Sequence, residues 1–218
     1  MRFDEARALL RELPTQLPPL PAELVPVALG TPNGCPPRFP AFPDERRAAA
    51  VLILIYPDDA GEAHLVLTER SPGEHRHAGQ ISLPGGQIDD NESIEEAALR
   101  EAYEEVGLDA DAEGVEVQGV LPEVDVRVSG FMVHPVIAFA NKAPALTPDG
   151  YEVAAVIAAP LEVFLPDSPI EMVNAERDGF RLRYGGFRVD DHIVWGATAG
   201  ILGRLGVWLG TLRSEAGA

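Results

Sequence analysis

A single cysteine, Cys35, stands in the 218-residue chain, so no internal disulfide can form, which fits a reducing cytoplasm. Basic residues are scarce: 17 Lys and Arg face 35 Asp and Glu, a formal net charge of −18. A balance so acidic argues against a nucleic-acid surface or an anionic-membrane surface. Long apolar runs are missing too. The longest, Ala48 to Tyr56, is too short to span a bilayer, and the early acidic residues lack an apolar h-region, so no signal peptide is expected. There is no internal repeat. The expectation is a soluble, cytoplasmic chain, most simply one large domain with a real core.

What the chain does have begins with Phe3 to Leu13, an amphipathic helix with Phe3, Ala6, Leu9, Leu10 and Leu13 on one side, ended by Pro14. From there to Pro43 proline is dense and periodicity poor. This reads as an arm that lies over the domain, covers an edge strand or reaches a second subunit, which makes a homodimer a candidate assembly. Cys35 sits in it as an ordinary thiol. The boundaries are therefore 1–45 for helix and arm, 46–213 for the domain and 214–218 for a tail.

Ala48 to Tyr56 reads as a buried strand, Pro57 to Gly61 as a turn and His64 to Thr68 as the hairpin partner. Gly79 to Leu83, Val115 to Leu121, His134 to Ala140 and Tyr151 to Ala159 read as further strands. Pro122 to Met132 reads as a loop and Pro160 to Phe164 as a helical turn. Gly185-Gly186, between Phe180–Tyr184 and Phe187–Val189, signals a hairpin. Trp195 to Leu212 reads as a helix whose four glycines imply close packing.

The stretch from Gly85 to Leu108, GGQIDDNESIEEAALREAYEEVGL, organises the rest. Its fixed points are Gly86, Glu92 after five residues, Arg100-Glu101 after seven more, then Glu104-Glu105 and Gly107-Leu108. Ser93-Ile94-Glu95-Glu96 is a capping box, Asp89, Asp90 and Glu92 suit the positive end of a helix dipole, and Gly107 suits a left-handed stop. Glu101 and Glu105 lie one turn apart, with Glu104 beside them. Ile94, Ala98, Leu99, Ala102 and Val106 form one apolar arc, with Glu105 inside it and Glu101 at its border. A carboxylate there is costly unless paired or bound to a cation. A solvated charged face explains Glu95 and Glu96 but not Glu105. Three converging carboxylates repel, and a divalent ion removes the repulsion; hard oxygen ligands suggest Mg²⁺, with Mn²⁺ as an alternative.

This run resembles the Nudix box, with every fixed position met and Ala102 standing where a bulkier aliphatic is usual. The resemblance implies an α/β fold, a mixed β-sheet sandwiched between helices, and hydrolysis of a diphosphate linked to another moiety. It also implies metal ligation by Glu101, Glu104 and Glu105 with the carbonyl of Gly85, and pairing of Glu92 with Arg100. Gly86 and Gly107 keep the structural positions of the box.

Before the box come Leu67-Thr68-Glu69-Arg70-Ser71 and His75-Arg76-His77-Ala78-Gly79-Gln80. One reading is a surface loop whose cations pair with nearby acids. Next to a catalytic loop, a phosphate clamp explains it better, because an arginine fork binds phosphate oxygens two at a time. Thr68, Arg70, Ser71, Gly79, Pro84, Gly85 and Gly86 are in register with the signature of the coenzyme A pyrophosphatase branch. Val66, Leu83 and His75 depart from it, and Arg76 stands one place after the usual arginine.

Further likeness to that branch comes from Ser129-Gly130-Phe131, Pro135-Val136, Glu152-Val153 and Trp195-Gly196-Ala197-Thr198. The likeness implies Mg²⁺-dependent cleavage of coenzyme A, with Arg70, Ser71, His75, Arg76, His77 and Gln80 against the substrate. Catalytic parts fall to Glu101, Glu104 and Glu152, the last either a metal ligand or base or an ordinary loop residue. Other nucleoside diphosphate derivatives (ADP-ribose, NADH, a deoxynucleoside triphosphate) remain alternatives. So does a non-catalytic sensor, although such modules usually lose box glutamates that are all kept here.

Overall fold

The computed structural model describes residues 1–30, 45–72, 79–127, 129–177 and 180–216. Along the chain run α1 (Phe3–Leu9), β1 (Val27–Gly30), β2 (Arg47–Pro57), β3 (Ala63–Arg70), β4 (Ile81–Ser82), β5 (Gly85–Gln87) and α2 (Ile94–Val106). There follow α3 (Ala110–Glu113), β6 (Glu116–Val120), β7 (Val124–Val126), β8 (Phe131–Phe139), β9 (Val153–Pro160), β10 (Ile170–Arg177), β11 (Phe180–Val189), β12 (His192–Trp195) and α4 (Gly196–Ala216).

An eight-stranded sheet holds the order β4-β3-β2-β8-β6, with β5 also on β2, β7 on β8 and β9 on β3. The β2–β8 pair is parallel and the others are antiparallel, so the sheet is mixed. A parallel pair needs a crossover, and the chain supplies it through α2. Strand β2 is central, which is why its apolar run does not alternate with polar residues. Ala50, Leu52, Leu54 and Tyr56 pack with Ala97, Ala98, Ala102 and Val106 of α2. Ala49, Ile53 and Ile55 join the opposite cluster with Phe3, Ala6, Ile201, Leu205 and Leu209 of α1 and α4. Helices thus flank the sheet on both faces, the α/β Nudix-like arrangement. Each large aliphatic buried this way contributes about 1.5–3 kcal/mol.

Five local readings need correction. Helix α1 stops at Leu9, two turns' worth of apolar spacing notwithstanding, with Leu10 at its C-cap. The arm contains a strand, β1, and the 122–132 loop contains β7. The run from Gly79 to Leu83 is strand only at Ile81–Ser82. Gly185-Gly186 is no turn: β11 runs straight through it, pairing with β10, β1 and β12 as a second antiparallel sheet. A Cβ on Gly185 would fall on the Glu23 carbonyl, 2.6 Å from Ile170 Cγ2, so this glycine permits close approach and not reversal. The α4 glycines do pack closely, as at Gly206, where a Cβ would lie 2.7 Å from the Phe164 carbonyl carbon. Among the described residues, no helix is long and apolar enough to cross a membrane.

Candidate active site

Helix α2 is fixed at both ends. Ser93 Oγ accepts from the Glu96 N–H at 3.2 Å, and Glu96 Oε2 accepts from the Ser93 N–H at 2.8 Å. Gly107 takes φ 69°, the left-handed stop. The phase set between those caps turns Glu105 inward until only 6% of it is exposed. Its hydrogen bond among the described residues comes from the Gly85 N–H at 3.0 Å. Burial pushes the Glu105 carboxyl up to about 7; the Gly85 N–H and the Arg70 charge pull it down, and Glu101 and Glu152 push it further up.

Arg100 competes for the other box carboxylates. Its Nε and Nη2 donate to Glu92 at 2.8 and 3.1 Å, Nη1 donates to Glu101 at 2.8 Å and Glu104 at 3.2 Å, and Nη2 also donates to the Gln87 carbonyl at 3.0 Å. The Arg100 hydrogen bond holds Glu92 below the usual carboxylate range. Glu101 is raised by burial, with Arg100 opposing and Glu104 and Glu152 adding. The expected convergence of Glu101, Glu104 and Glu105 is therefore not drawn tight. Among the described residues no group of three metal-ligating side chains is closed up. Two of the three lean on Arg100, and Glu104 stays 57% exposed.

Opposite α2, the end of β3 forms a wall. The Arg70 N–H donates to the Gln80 carbonyl and the Gly79 N–H to the Arg70 carbonyl, both at 3.0 Å, while the Ser71 N–H reaches the Glu152 carbonyl at 2.9 Å. Arg70, Ser71, Gln80 and Glu152 are thus laced together beside Glu105. Thr68 is buried, bonded to Ser82 Oγ at 3.0 Å, and serves this wall and not the cleft. His75, Arg76 and His77 lie outside the described residues, as does Cys35. Asp149, which the sequence analysis does not single out, carries much of the positioning. Its N–H donates to the Glu105 carbonyl at 3.0 Å, and its carboxylate accepts from the N–H groups of Glu152 and Val153 at 3.0 and 2.8 Å. The signal was present in Pro148-Asp149-Gly150, where an Asp can bond its own backbone ahead. Gln87, anchoring Arg100 through a carbonyl, had no side-chain signal at all.

The NUDIX domain model matches residues 46–176, more than half of the chain. The chain belongs to the Nudix family. This Nudix hydrolase is 39% identical over 167 residues to the uncharacterized Nudix hydrolase NudL of Enterobacter sp. strain 638, covering 76% of this chain and 84% of the relative. It is 38% identical over 175 residues to NudL of Shigella flexneri, covering 80% and 88%. The crystal structure of the Nudix hydrolase RenU from M. smegmatis superposes with a TM-score of 0.51 at 24% identity, over 88% of this chain and 94% of that one, a likeness of fold. As a Nudix hydrolase it is a pyrophosphohydrolase acting on a nucleotide-diphosphate type of small molecule.

Nudix hydrolases commonly use divalent metal ions, and the donors fit one. Carboxylate oxygens are hard ligands suited to Mg²⁺ or Mn²⁺. Glu105 is a half-satisfied buried acid repelled by Glu101 and Glu152, the situation that a divalent charge relieves.

Proposed function

We propose that this Nudix hydrolase cleaves the diphosphate of coenzyme A, giving 4′-phosphopantetheine and adenosine 3′,5′-bisphosphate. The observation that carries the reading is the wall formed by Arg70, Ser71 and Gln80, laced to Glu152 and set beside Glu105. It belongs to the stretch Thr68 to Gly86, whose pattern resembles the coenzyme A pyrophosphatase branch.

Glu101, Glu104 and Glu105 would hold the divalent ion, with the Gly85 carbonyl beside them; when bound, it offsets the charge of the diphosphate and acidifies the attacking water. Glu152 takes a proton from the water as its oxygen joins one phosphorus. The bridging P–O bond breaks and its electron pair leaves with the departing phosphate. Glu152 suits the base better than Glu104, which Arg100 holds. Arg70, which makes no ion pair among the described residues, steadies the charge that builds on the phosphate oxygens.

The test is product analysis by mass spectrometry after incubation with Mg²⁺ and coenzyme A, ADP-ribose, NADH or deoxynucleoside triphosphates in parallel. Coenzyme A is expected to be cleaved fastest, to the two products named. Preference for ADP-ribose or a triphosphate would replace the substrate, and tight binding without product would make the protein a sensor. Arg70→Ala is expected to raise KM for coenzyme A about tenfold to a hundredfold, the worth of one lost charge-assisted hydrogen bond. An unchanged KM would remove Arg70 from the clamp.

A further inference from the structure

The loop before β9 is docked onto the end of α2. A helix leaves its last carbonyls without partners inside the helix. In α2 the Leu108 and Gly107 N–H groups take those of Ala102 and Tyr103. The loop takes two more: the Asp149 N–H donates to the Glu105 carbonyl at 3.0 Å, and the Thr147 N–H to the Val106 carbonyl at 2.9 Å.

From Asp149 the chain turns tightly toward β9. Gly150, at φ 75°, donates its N–H to the Val153 carbonyl at 3.0 Å, and the Asp149 carboxylate closes the turn. Asp149 Oδ1 accepts from the N–H groups of Glu152 at 3.1 Å and Val153 at 2.8 Å, and Oδ2 accepts from the Glu152 N–H at 3.0 Å. Glu152 is therefore held by both of its backbone polar groups, the N–H by Asp149 and the carbonyl by the Ser71 N–H at 2.9 Å. Its carboxylate, in contrast, makes no hydrogen bond or ion pair among the described residues. It stands close enough to Glu101 and Glu105 to push both of their carboxyls up.

An Asp that closes a turn is common. This one also bonds the backbone of Glu105 on one side and of Glu152 on the other. We infer that Asp149 is a positioning residue for the base: it clasps Glu152 to the turn of α2 that carries Glu105, so base and metal ligand keep one spacing. The inference rests on Glu152 being the base that takes the proton from water. The two halves of the clasp are separable, because a side-chain substitution leaves the Asp149 N–H on the Glu105 carbonyl and removes only the grip on Glu152.

Steady-state assays with Mg²⁺ and coenzyme A, or whichever compound of the parallel panel is cleaved fastest, test this. Asp149→Ala is expected to lower kcat about a hundredfold with KM within about threefold, because a misplaced base slows the chemical step and not binding. Asp149→Asn keeps an acceptor oxygen for both N–H groups and should return kcat to within about tenfold of wild type. Glu152→Gln should itself cost about a hundredfold or more, and Asp149→Ala added to it less than about threefold further. Without metal or substrate, amide exchange at Glu152 and Val153 should quicken about tenfold or more in Asp149→Ala, with the α2 amides unchanged. Unaltered exchange, kcat of Asp149→Ala within threefold of wild type, or a full hundredfold loss on top of Glu152→Gln overturns the positioning and leaves the base in place. Glu152→Gln within tenfold of wild type removes the base itself, and the part given to Asp149 with it. Asp149 is exposed, so alanine there empties no core space. If the alanine variant nevertheless unfolds, Asp149→Ser, whose hydroxyl makes the same turn more weakly, takes its place in the cycle with a smaller loss expected.

Discussion

Replacing Glu105 with glutamine is expected to cut turnover about a thousandfold or more and, at the same time, to stabilise the metal-free protein above pH 7. The two effects share one cause. Glu105 is buried to 6% exposure, and its carboxyl sits near 7 in the fold against an ordinary value of 4.5. A raised carboxyl stabilises the fold while protonated. That contribution is complete below about 4.5 and is lost as pH rises through about 7. At pH 8 the ionised group costs on the order of 3 kcal/mol, the free energy of moving a carboxyl from 4.5 to about 7. Glutamine keeps an oxygen for the Gly85 N–H and carries no charge to bury.

Melting in EDTA should therefore show similar Tm values for wild type and Glu105→Gln at pH 4.5. At pH 8 the variant should melt about 6–12 °C higher. Mg²⁺ should raise the wild-type Tm at pH 8 and leave the variant nearly where it was. Equal melting at pH 8, or turnover within tenfold of wild type, would take Glu105 out of the metal site.

Much of this site was legible because local chemistry and long-range packing agree along α2. Ser93, Glu96 and Gly107 fix where the helix begins and ends, and the helical period then places Glu105 among Ala98, Ala102 and Val106. What the period cannot give is the fate of a flexible side chain. Arg100 lies one residue from Glu101 and four from Glu104, so it pairs with both as readily as with Glu92, and the anticipated convergence opens up.

The second sheet was harder to foresee. In β10 the residues from Ile170 to Asn174 are half-buried or exposed, and in β11 Tyr184 to Phe187 are buried in a row. Neither strand therefore shows the alternation that marks one buried face, and β12 is four residues long. Gly185-Gly186 misled because glycine marks both reversals and close contacts, and only the neighbour decides which. The strand β1 hides behind Pro26 in a proline-dense arm, where its backbone partner on β11 is more than 150 residues away.

Alanine at Gly85 and alanine at Gly86 are expected to fail in opposite ways. Gly85 has φ 150°, and a Cβ there would fall on the Ala50 carbonyl oxygen, 2.6 Å from Val51 Cα. Those atoms belong to the central strand and cannot withdraw, so Gly85→Ala should lose about 3 kcal/mol through strain and overpacking. That is a fall of about 6–12 °C in Tm. A Cβ on Gly86 would instead meet the Glu101 carboxylate at 2.5 Å, the far end of a flexible chain. Glu101 can swing aside, so Gly86→Ala should keep the fold to within about 1 kcal/mol, while displacing that carboxylate costs about a hundredfold in kcat. Adding Gly86→Ala to Glu101→Ala should then cost almost nothing more, because the group that it displaces is already gone. Full additivity in that double variant, or melting of Gly86→Ala as early as Gly85→Ala, would show that Gly86 is small for the backbone's sake and not for Glu101.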